Sequence, residues 1–384
     1  SVAPALALGN AVVIKPASDT PVTGGTLIAR IFEEAGLPAG VLSVVVGAGS
    51  EIGDAFVKHS VPRLISFTGS TPVGKQVGAN AVSGDHIKKV ALELGGNAPV
   101  VVLDDADPKA IAEGLFWGAF INTGQTCAAL KRLYVPDSLY DAVCEELVAV
   151  ARRMPMGPGL EEENVLGPLQ NRAQYEIVER LVQAAKDGGG RVLLGGDPDP
   201  ERPGLFYPTT IVADIDNDNP LVAEEQFGPA LPIVRYTDLE QAIEWANGLD
   251  VGLGASVWST DPERANEVAM RLEAGSVWIN KHGTIDPRVP FGGVKHSGMG
   301  REFGVLGLKE MAEAVLEAHP EIDEIKFSCP NKHHFLYDIE RFGLENPNEV
   351  FYAADRPYGL IQATITREGA EQAPEAWTTI PDFC

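Results

Sequence analysis

The sequence has 384 residues, is 45% hydrophobic and carries a formal net charge of −24 at pH 7. Its length and apolar content allow two or three domains with sizeable cores. A surface this acidic repels phosphate backbones, which argues against nucleic acid as a partner. No apolar run reaches the roughly 20 residues of a membrane-spanning helix, so no membrane association is expected.

The first residues and the cysteines indicate the cellular compartment. The opening stretch, SVAPALALGNAVVIKP, has neither an initiator Met nor a basic leader, and it is typical of the middle of a domain rather than of a signal peptide. The cysteines are too few and too widely spaced for a stapled secreted scaffold, so we expect a cytoplasmic protein without a metal site. They are Cys127, Cys144, Cys329 and Cys384.

The first hundred residues alternate short apolar strands with helical patterns. The strand segments are apolar throughout and rich in β-branched residues, which is typical of a parallel sheet covered on both faces. We therefore expect a doubly wound parallel sheet in this part of the chain. The predicted strands cover residues 10–16, 42–47, 63–69 and 88–96, and the predicted helices cover residues 19–38, 50–59 and 70–82.

A second α/β pattern begins at Asn97 and continues to about Asn280. A predicted helix over residues 107–124 leads into a loop that contains Cys127. The Gly/Pro-rich stretch DGGGRVLLGGDPDPERPG is predicted to be a surface excursion. The other predicted strands cover residues 98–105, 255–259 and 276–280, the other predicted helices cover residues 138–154 and 238–248, and the glycine-rich stretch VPFGGVKHSGMGREFG follows.

Cys127 is the first candidate for chemistry, and two interpretations of it stay open. A free thiol is mostly protonated at neutral pH and acts as a nucleophile only where its pKa is lowered. The alternative is a small buried hydrophobic side chain, which is the role expected of Cys144 and Cys384. Glu93 lies between apolar residues at a predicted strand end. A carboxylate in such surroundings has a raised pKa and suits proton transfer.

Two strand-to-helix junctions have the composition of a phosphate site. GAGSEIG, which contains Gly49 and Gly53, follows a strand and opens a helix, although its spacing is not GxGxxG. SFTGSTPVG contains Gly69 and Ser70, and the free N–H groups and helix dipole at such a junction favour a phosphate. An ordinary turn between a strand and a helix is the alternative for both segments.

Two other positions suit a ribose. Lys15 ends the first predicted strand, so it is either a surface lysine at a sheet end or a side chain that reaches a ribose hydroxyl. In EEQFGP a carboxylate stands next to Phe227 and a Gly-Pro turn, so it could grip a ribose while the ring packs on a cofactor. Taken alone, this segment is an ordinary loop start.

Six segments, taken together and in chain order, resemble motifs of the aldehyde dehydrogenase superfamily over residues 1–310. The resemblance implies an enzyme that oxidises an aldehyde to a carboxylic acid with NAD or NADP, with Cys127 as the nucleophile and Glu93 as the general base. The segments are KPAS at Lys15, FTGST at Phe67, LELGG at Leu92, the GQTC loop that ends at Cys127, EEQFGP at Glu224 and PFGGVKHSGMGRE at Pro290.

The same resemblance implies the cofactor contacts. Ser18 stands where an acidic residue of the family binds the 2′-hydroxyl of the adenosine ribose and repels a 2′-phosphate. Its small neutral side chain leaves room for that phosphate, so NADP is expected to be accepted. The implied contacts are Lys15 and Glu225 on the riboses, Gly69 and Ser70 at the pyrophosphate, Phe227 at the nicotinamide, and Gly49 and Gly53 near the cofactor backbone.

The resemblance also implies a domain organisation. Residues 1–96 would form an NAD(P)-binding domain that is incomplete at its N-terminus, residues 97–290 a second α/β domain with the nucleophilic cysteine, and residues 291–311 a return segment to the first domain. Family members carry a further stretch before the point that matches Ser1, and it includes part of the oligomerisation hairpin. We therefore expect the homo-oligomer of the family to lack some of its contacts here.

Beyond residue 311 the sequence changes character. FSCPNKHHFLYD, NPNEVFYAADRPYG and LIQATITRE resemble, in this order, the C-terminal part of urate oxidase, which implies a small antiparallel α+β fragment of T-fold type over residues 312–384. That family would place Asn331 and His333 where dioxygen and water are positioned over urate. We favour surface or structural roles, because the Thr–Lys pair and the Arg/Gln clamp of the urate site have no counterpart. We infer a fusion or assembly join between Lys309 and Ala314.

Three functions stay open on the sequence alone. The favoured one is an NAD(P)-dependent aldehyde dehydrogenase acting on a small-molecule aldehyde. The second is a urate oxidase-like enzyme, to which only the tail contributes. The third is a catalytically silent fusion whose tail acts only in assembly.

Overall fold

The computed structural model describes residues 1–318, with side chains to residue 312, and three later strands. Labelled in chain order, its helices are α1 (Val2–Ala7), α2 (Leu27–Glu34), α3 (Gly49–Lys58), α4 (Thr71–Val82), α5 (Pro108–Phe120), α6 (Tyr140–Ala151), α7 (Arg172–Asp187), α8 (Pro220–Ala223), α9 (Leu239–Asn247), α10 (Pro262–Ala269) and α11 (Gly304–Ala318). Its strands are β1 (Val12–Ile14), β2 (Leu42–Val44), β3 (Leu64–Thr68), β4 (Lys89–Glu93), β5 (Ala98–Val102), β6 (Leu130–Pro136), β7 (Arg191–Leu194), β8 (Thr210–Ala213), β9 (Ala230–Tyr236), β10 (Val251–Gly252), β11 (Gly254–Trp258), β12 (Ser276–Ile279), β13 (Val294–Lys295), β14 (Gly298–Met299), β15 (Glu324–Ser328), β16 (Tyr337–Asp338) and β17 (Gln362–Thr366).

A seven-stranded sheet forms the centre of the molecule. Its strand order is β12-β11-β5-β6-β9-β8-β7, and every neighbouring pair is parallel except β7 with β8. Helices join the parallel strands, as such crossovers require. The predicted α/β class with a large parallel sheet is therefore confirmed.

β5 shows why this sheet is apolar on both faces. All five of its residues are buried, and successive side chains of a strand point to opposite faces. Val100 and Val102 pack in one cluster with residues of α5 and α6, such as Leu115. Val101 packs in the other cluster with residues of α7, α9 and α10, such as Leu181. A strand covered on both sides has no polar face, so its sequence does not alternate.

The strands of the first hundred residues depart from the prediction of one continuous sheet. β1 pairs with β2 and β3 pairs with β4, both in parallel, but the two pairs belong to separate sheets. β14 joins the second sheet, antiparallel to β4. Alternating strands and helices predicted the strands and their direction, whereas sheet continuity depends on pairing between distant segments, which no local pattern reports.

The stretch predicted to be a surface excursion contains an edge strand. β7 lies within it and pairs with β8, so that Val192 stands opposite Val212. Gly195 and Gly196 then turn the chain with φ of 68° and 86°, a region that glycine adopts without steric cost. The Gly/Pro content correctly marked the turns, but it hid the four-residue strand between them.

The chain after β12 returns to the smaller sheets. Phe291 bridges Glu302, β13 pairs with β10, and β14 pairs with β4. The proposed domain boundaries at residues 96 and 290 stay a prediction. The three later strands pair antiparallel in the order β16-β15-β17, whereas Asn331 and His333 lie outside the described residues. Among the helices that the structure describes, none is long and apolar enough to cross a membrane.

Candidate active site

The loop that carries Cys127 begins with three left-handed residues. After α5 ends at Phe120, Asn122, Thr123 and Gly124 take φ of 50°, 58° and 73°. Non-glycine residues rarely adopt this region, and such strain persists only where surrounding structure holds it, often at functional sites. The Thr123 hydroxyl supplies part of that hold, because it both donates to the Gly167 carbonyl and accepts from the Gly167 N–H at 3.0 Å.

The Cys127 backbone lies against the chain that links β4 to β5. A Cβ atom on Gly96 would stand 2.4 Å from the Cys127 carbonyl oxygen, which is far inside van der Waals contact. The residue at position 96 must therefore be glycine for the two segments to pack as they do. The side chain of Cys127 is partly buried and packs against an apolar cluster of Ala128, Leu253, Trp278 and Phe291.

The pKa of the Cys127 thiol is raised in the protein without a bound cofactor. Burial raises its pKa most, and the charges of Glu93 and Glu225 raise it further. Only the backbone N–H groups of Ala128 and of Cys127 itself act in the opposite direction. In the protein alone, burial and two negative charges therefore disfavour the thiolate, and the role of Cys127 as a nucleophile stays a prediction. The same electrostatic coupling shows that the two predicted carboxylates lie close to the predicted nucleophile.

Glu93 ends β4 between two paired strands. It stands opposite Thr68 of β3 on one side and Gly298 of β14 on the other. Burial, followed by the nearby Glu302 carboxylate, raises its pKa to about 7, while Arg301 opposes the rise. Its Oε2 atom is buried and has no hydrogen-bond partner in the described part of the chain. The raised pKa agrees with the sequence interpretation, and the free oxygen suits proton transfer to a ligand.

Glu225 lies beside the segment that links β4 to β5. The Gly96 N–H donates to its Oε1 at 3.2 Å. Burial raises the pKa of the carboxyl, whereas the Gly96 N–H and the charge of Lys131 lower it. A Cβ atom on Gly95 would lie 2.5 Å from Oε2 of Glu225 and 3.5 Å from the hydroxyl of Thr71, at the start of α4. The start of α4, Glu225 and the Cys127 loop therefore meet around the Gly95–Gly96 pair.

Lys131 is a residue that sequence reasoning missed. It is 1% exposed, and its ammonium group donates to the carbonyls of Gly124 at 2.7 Å and Gly228 at 2.9 Å. It thereby ties the Cys127 loop to the loop that holds Glu225 and Phe227. Burial lowers its pKa to about 7. The one available signal was the charged pair Lys131 and Arg132 inside the otherwise apolar segment ALKRLYV, because charged side chains are unusual in a buried strand.

An open cavity of about 520 Å³ lies beside these two loops. Phe227 forms part of its wall with φ of 44°, so a strained residue faces the cavity from each loop. The other lining residues include Asn122, Thr123, Gln125, Gly167 and Pro168. Among the described residues, no group of three His, Cys, Asp or Glu side chains is arranged to hold a metal ion.

The remaining predicted cofactor residues lie around β1, α3 and α4. The Lys15 ammonium donates to the carbonyls of Pro16 at 2.5 Å and Gly47 at 3.3 Å, which places it beside the GAGSEIG loop. At Gly49 and Gly53 no atom lies within 4 Å of where a Cβ would be. Both glycines therefore leave open space at the start of α3. Ser18 is exposed in the loop after β1.

The start of α4 offers unpaired donors. Gly69 and Ser70 are exposed at the turn from β3, and Ser70 makes no side-chain cap for the helix. The N–H groups of the first helical turn have no partner within the helix, and the helix dipole makes this end positive. The geometry therefore suits an anion such as a phosphate.

Comparison with known proteins shows the family of the chain. The family model for the aldehyde dehydrogenase family matches residues 1–315. The chain belongs to this family. It is 49% identical over 311 residues to a vanillin dehydrogenase from Corynebacterium glutamicum, covering 81% of this chain and 63% of that protein. It is 42% identical over 309 residues to a phenylacetaldehyde dehydrogenase from Pseudomonas fluorescens, covering 80% and 61%.

Solved structures of aldehyde dehydrogenases superpose on the same part of the chain. A double mutant of betaine aldehyde dehydrogenase from Staphylococcus aureus, in complex with NAD+ and with a BME-modified cysteine, has a TM-score of 0.76 at 35% identity over 81% of this chain and 63% of that chain. An NADP dependent enzyme from E. coli has a TM-score of 0.77 at 39% identity over 80% and 63%. The chain thus spans less than two thirds of the length of these relatives.

A second family model, uricase, matches residues 308–362. It overlaps the aldehyde dehydrogenase match between residues 308 and 315. Most of the matched stretch lies outside the described residues. The join between two incomplete genes stays a prediction.

Proposed function

We propose that this chain oxidises an aldehyde to a carboxylic acid with NAD or NADP, through a covalent intermediate on Cys127. The observation that carries the proposal is that one thiol and two carboxylates lie together. The charges of Glu93 and Glu225 both act on the Cys127 thiol, and Glu225 accepts a hydrogen bond from the Gly96 N–H, beside the Cys127 carbonyl. Membership of the aldehyde dehydrogenase family supports the same reaction class. A BME-modified cysteine in the similar Staphylococcus aureus enzyme supports a reactive thiol.

The reaction begins at the sulfur of Cys127. As a thiolate it attacks the aldehyde carbon and forms a thiohemiacetal, whose oxyanion faces the backbone N–H of Cys127. Loss of a hydride from the same carbon leaves a thioester. An aldehyde has no leaving group other than hydride, so covalent capture turns the substrate into a positioned hydride donor.

Glu93 completes the turnover. As a carboxylate it removes a proton from water, the resulting hydroxide attacks the thioester, and the carbon–sulfur bond breaks. The carboxylic acid leaves and the Cys127 thiolate is restored. A pKa of about 7 suits this role, because a general base works best when its pKa lies near the working pH.

The residues present fit a dinucleotide. The free N–H groups after Gly69 and Ser70 suit the pyrophosphate, and the open space at Gly49 and Gly53 permits close approach. Lys15 and Glu225 would hold the riboses, and Phe227 would face the nicotinamide. When bound, NAD or NADP supplies the hydride acceptor, while the protein orients it.

Ser18 leads us to propose that NADP is accepted. A neutral exposed side chain at this position neither repels a 2′-phosphate nor fills its space. The test is the ratio of kcat/KM for NAD to that for NADP. A preference for NAD above about 100-fold, roughly 2.7 kcal/mol, would rule out this part of the proposal.

We also propose an aromatic aldehyde as the substrate. The thiol packs against a wall that contains Trp278 and Phe291, and aromatic rings pair favourably with such walls. The similarity to a vanillin dehydrogenase and a phenylacetaldehyde dehydrogenase supports this choice.

The decisive experiment follows absorbance at 340 nm with vanillin, benzaldehyde and propanal, each with NAD and with NADP. We expect kcat/KM to be highest for an aromatic aldehyde and to be lost in Cys127→Ser. Turnover of propanal alone would refute the aromatic substrate but keep the dehydrogenase. Absence of turnover with every aldehyde, together with equal iodoacetamide labelling of the Cys127 and Cys144 peptides, would favour a silent protein.

A further inference from the structure

A chain of buried hydrogen bonds runs from the central sheet to the residue after the proposed nucleophile. The indole N–H of Trp258 donates to the Ser256 hydroxyl at 3.1 Å. Ser256 Oγ lies 2.9 Å from Nδ1 of His282, and Nε2 of His282 lies 2.8 Å from the Ala128 carbonyl oxygen. Ser256 and Trp258 belong to β11, at 0% and 4% exposure, so one end of the chain is part of the rigid sheet.

The partners determine the direction of every bond in this chain. A carbonyl oxygen accepts only, so Nε2 of His282 must carry its proton and donate to Ala128. Nδ1 is then the acceptor of a neutral imidazole, and the Ser256 hydroxyl donates to it. The hydroxyl oxygen in turn accepts from Trp258. Each polar atom has one role, and no donor in the chain is left without an acceptor.

This chain of hydrogen bonds ends at Ala128, the residue whose N–H group interacts with the sulfur of Cys127. The N–H of Ala128 is one of the two groups that stabilise the Cys127 thiolate, and His282 holds the carbonyl of that same residue. The turn is closed by the Ala129 N–H, which donates to the Thr126 carbonyl at 3.0 Å. Holding both carbonyls restricts the backbone dihedrals that aim the Ala128 N–H at the sulfur.

From this geometry we infer that His282 is a positioning residue for the reaction: through Ala128, it keeps in place the N–H group that stabilises the Cys127 thiolate. The inference rests on the proposed role of Cys127 as the nucleophile. His282 itself does not touch the reacting atoms. It acts as a neutral donor that is anchored in β11.

The charged groups around the thiol make this N–H important. Glu93 from β4 and Glu225 from the EEQFGP loop both disfavour the thiolate. Lys131 lies close enough to His282 to help burial lower the imidazole pKa to about 4. The imidazole is therefore uncharged near neutral pH and contributes no positive charge. Backbone N–H groups are what remains within the described residues to favour the thiolate before cofactor binds.

The test measures iodoacetamide alkylation of the tryptic peptide that carries Cys127, without cofactor, in His282→Leu and His282→Gln. The pH range runs from 7 to the highest pH at which the protein stays folded, so that it passes the raised midpoint of the thiol. The Leu variant removes the donor, and we expect the alkylation midpoint to move up by about one pH unit, which slows alkylation about tenfold at pH 7.5 while the rates at high pH converge. The Gln variant retains an N–H near the position of Nε2 and is expected to recover most of the rate. In turnover, kcat should fall in the Leu variant while the KM for aldehyde stays unchanged.

Two further variants and a wild-type control distinguish a positioning role of His282 from a purely structural one. Ser256→Ala removes the donor to Nδ1 and should move the midpoint in the same direction by less, which tests the inference even where His282→Leu does not fold. Tyr140→Phe, which deletes a buried hydroxyl bonded to Ile233 at 2.8 Å, should lower Tm without moving the midpoint. An unchanged midpoint in His282→Leu, or equal slowing at every pH, overturns the inference. Wild-type protein whose Cys127 peptide reacts no faster than its Cys144 peptide overturns instead the proposed function.

Discussion

Among single residues, Glu93 is the one expected to make kcat depend most directly on pH. Its pKa of about 7 arises from burial and the neighbouring Glu302, and only its ionised form can act as a base. Where hydrolysis of the thioester limits turnover, we therefore expect kcat to rise tenfold per pH unit up to about pH 7 and then to level off. The measurement is a pH–kcat profile at saturating aldehyde and cofactor. A profile that is flat from pH 5.5 to 8 would remove Glu93 from the base role.

Glu93→Gln should separate the two halves of the reaction. Hydride loss needs no base at this position, so a burst of 340 nm absorbance matching the enzyme concentration should remain. Hydrolysis needs the base, so the steady-state rate should fall by about 10²- to 10⁴-fold. The exposed Glu244→Gln serves as the control and should match the wild type in both phases.

The same substitution should raise stability. The folded-state pKa of Glu93 lies above the ordinary value of 4.5, so the folded state binds more protons between pH 4.5 and 7 and loses stability as pH rises through that window. Gln cannot ionise and avoids this loss. We expect Glu93→Gln to have a higher Tm than the wild type at pH 8 and a similar Tm at pH 4.5. A lower Tm at pH 8 would contradict the burial of a carboxylate at this site.

Gly96 is expected to be intolerant of a single methyl group. A Cβ would stand 2.4 Å from the Cys127 carbonyl oxygen and 3.1 Å from the Cβ of Leu253, so Gly96→Ala must displace the Cys127 loop. A shift of about 1 Å at the reacting centre can cost about 10²-fold in rate. Steady-state kinetics should show that loss in kcat, whereas Gly159→Ala, with nothing within 4 Å of the new atom, should leave kcat unchanged.

At the level of elements, two loops meet through one buried cation. The Cys127 loop follows α5 and the Glu225 loop precedes β9, and Lys131 of β6 donates to a carbonyl of each. In Lys131→Met both carbonyls lose this donor, at a cost of about 1–3 kcal/mol for each buried polar group. We expect a lower Tm, a lower kcat and a higher KM for the cofactor, because both loops lose their common anchor.

The contribution of Lys131 to stability depends on pH because its pKa is shifted in the folded state. The folded-state pKa of Lys131 is lowered from 10.5 to about 7, so between these values the unfolded chain binds more protons and the contribution of Lys131 to stability rises with pH. Urea unfolding of the wild type and of Lys131→Met should therefore show a difference that grows from pH 7 to pH 9. A difference that stays constant over this range would mean that the ammonium stays charged when buried.

Across the whole molecule, burial is uneven. The two large apolar clusters line the seven-stranded sheet, whereas the cluster under the first sheets contains Val57, Ile65 and Ala81. Exposed apolar side chains crowd into the early part of the chain: Val13, Val22, Leu27, Ile31, Val45, Val46, Val61, Val73, Val82 and Ile87. We expect amide hydrogens of residues 1–96 to exchange faster than those of β5, β6 and β9, because local opening exposes less buried apolar surface there. Equal protection by mass spectrometry would show that both parts unfold as one unit.

Much of the candidate site could be predicted from the order of the motifs along the sequence and from the residue types within them. Strand ends with Glu93 or Lys15, glycines at strand-to-helix turns and a lone Cys127 after a polar loop are local features, and their order along the chain matched the aldehyde dehydrogenase family. Lys131 and His282 carried no comparable signal, and Gly96 was noted only as the last residue of LELGG. Each acts on a backbone carbonyl contributed by another loop or segment, and a carbonyl leaves no trace in the residue types of a sequence.

The amino-acid sequence by itself determined the α/β class and three strands of the large sheet, β5, β11 and β12, because periodicity and turn chemistry are local. It also predicted the thiol and its acid partner, because the motifs kept their order along the chain. The tertiary structure alone decided that β7 is an edge strand, that β1–β2 and β3–β4 form separate sheets, and that burial, together with the charges of Glu93 and Glu225, raises the pKa of the Cys127 thiol. Pairing register and electrostatic coupling depend on distances between segments far apart in the chain, and those distances exist only after folding.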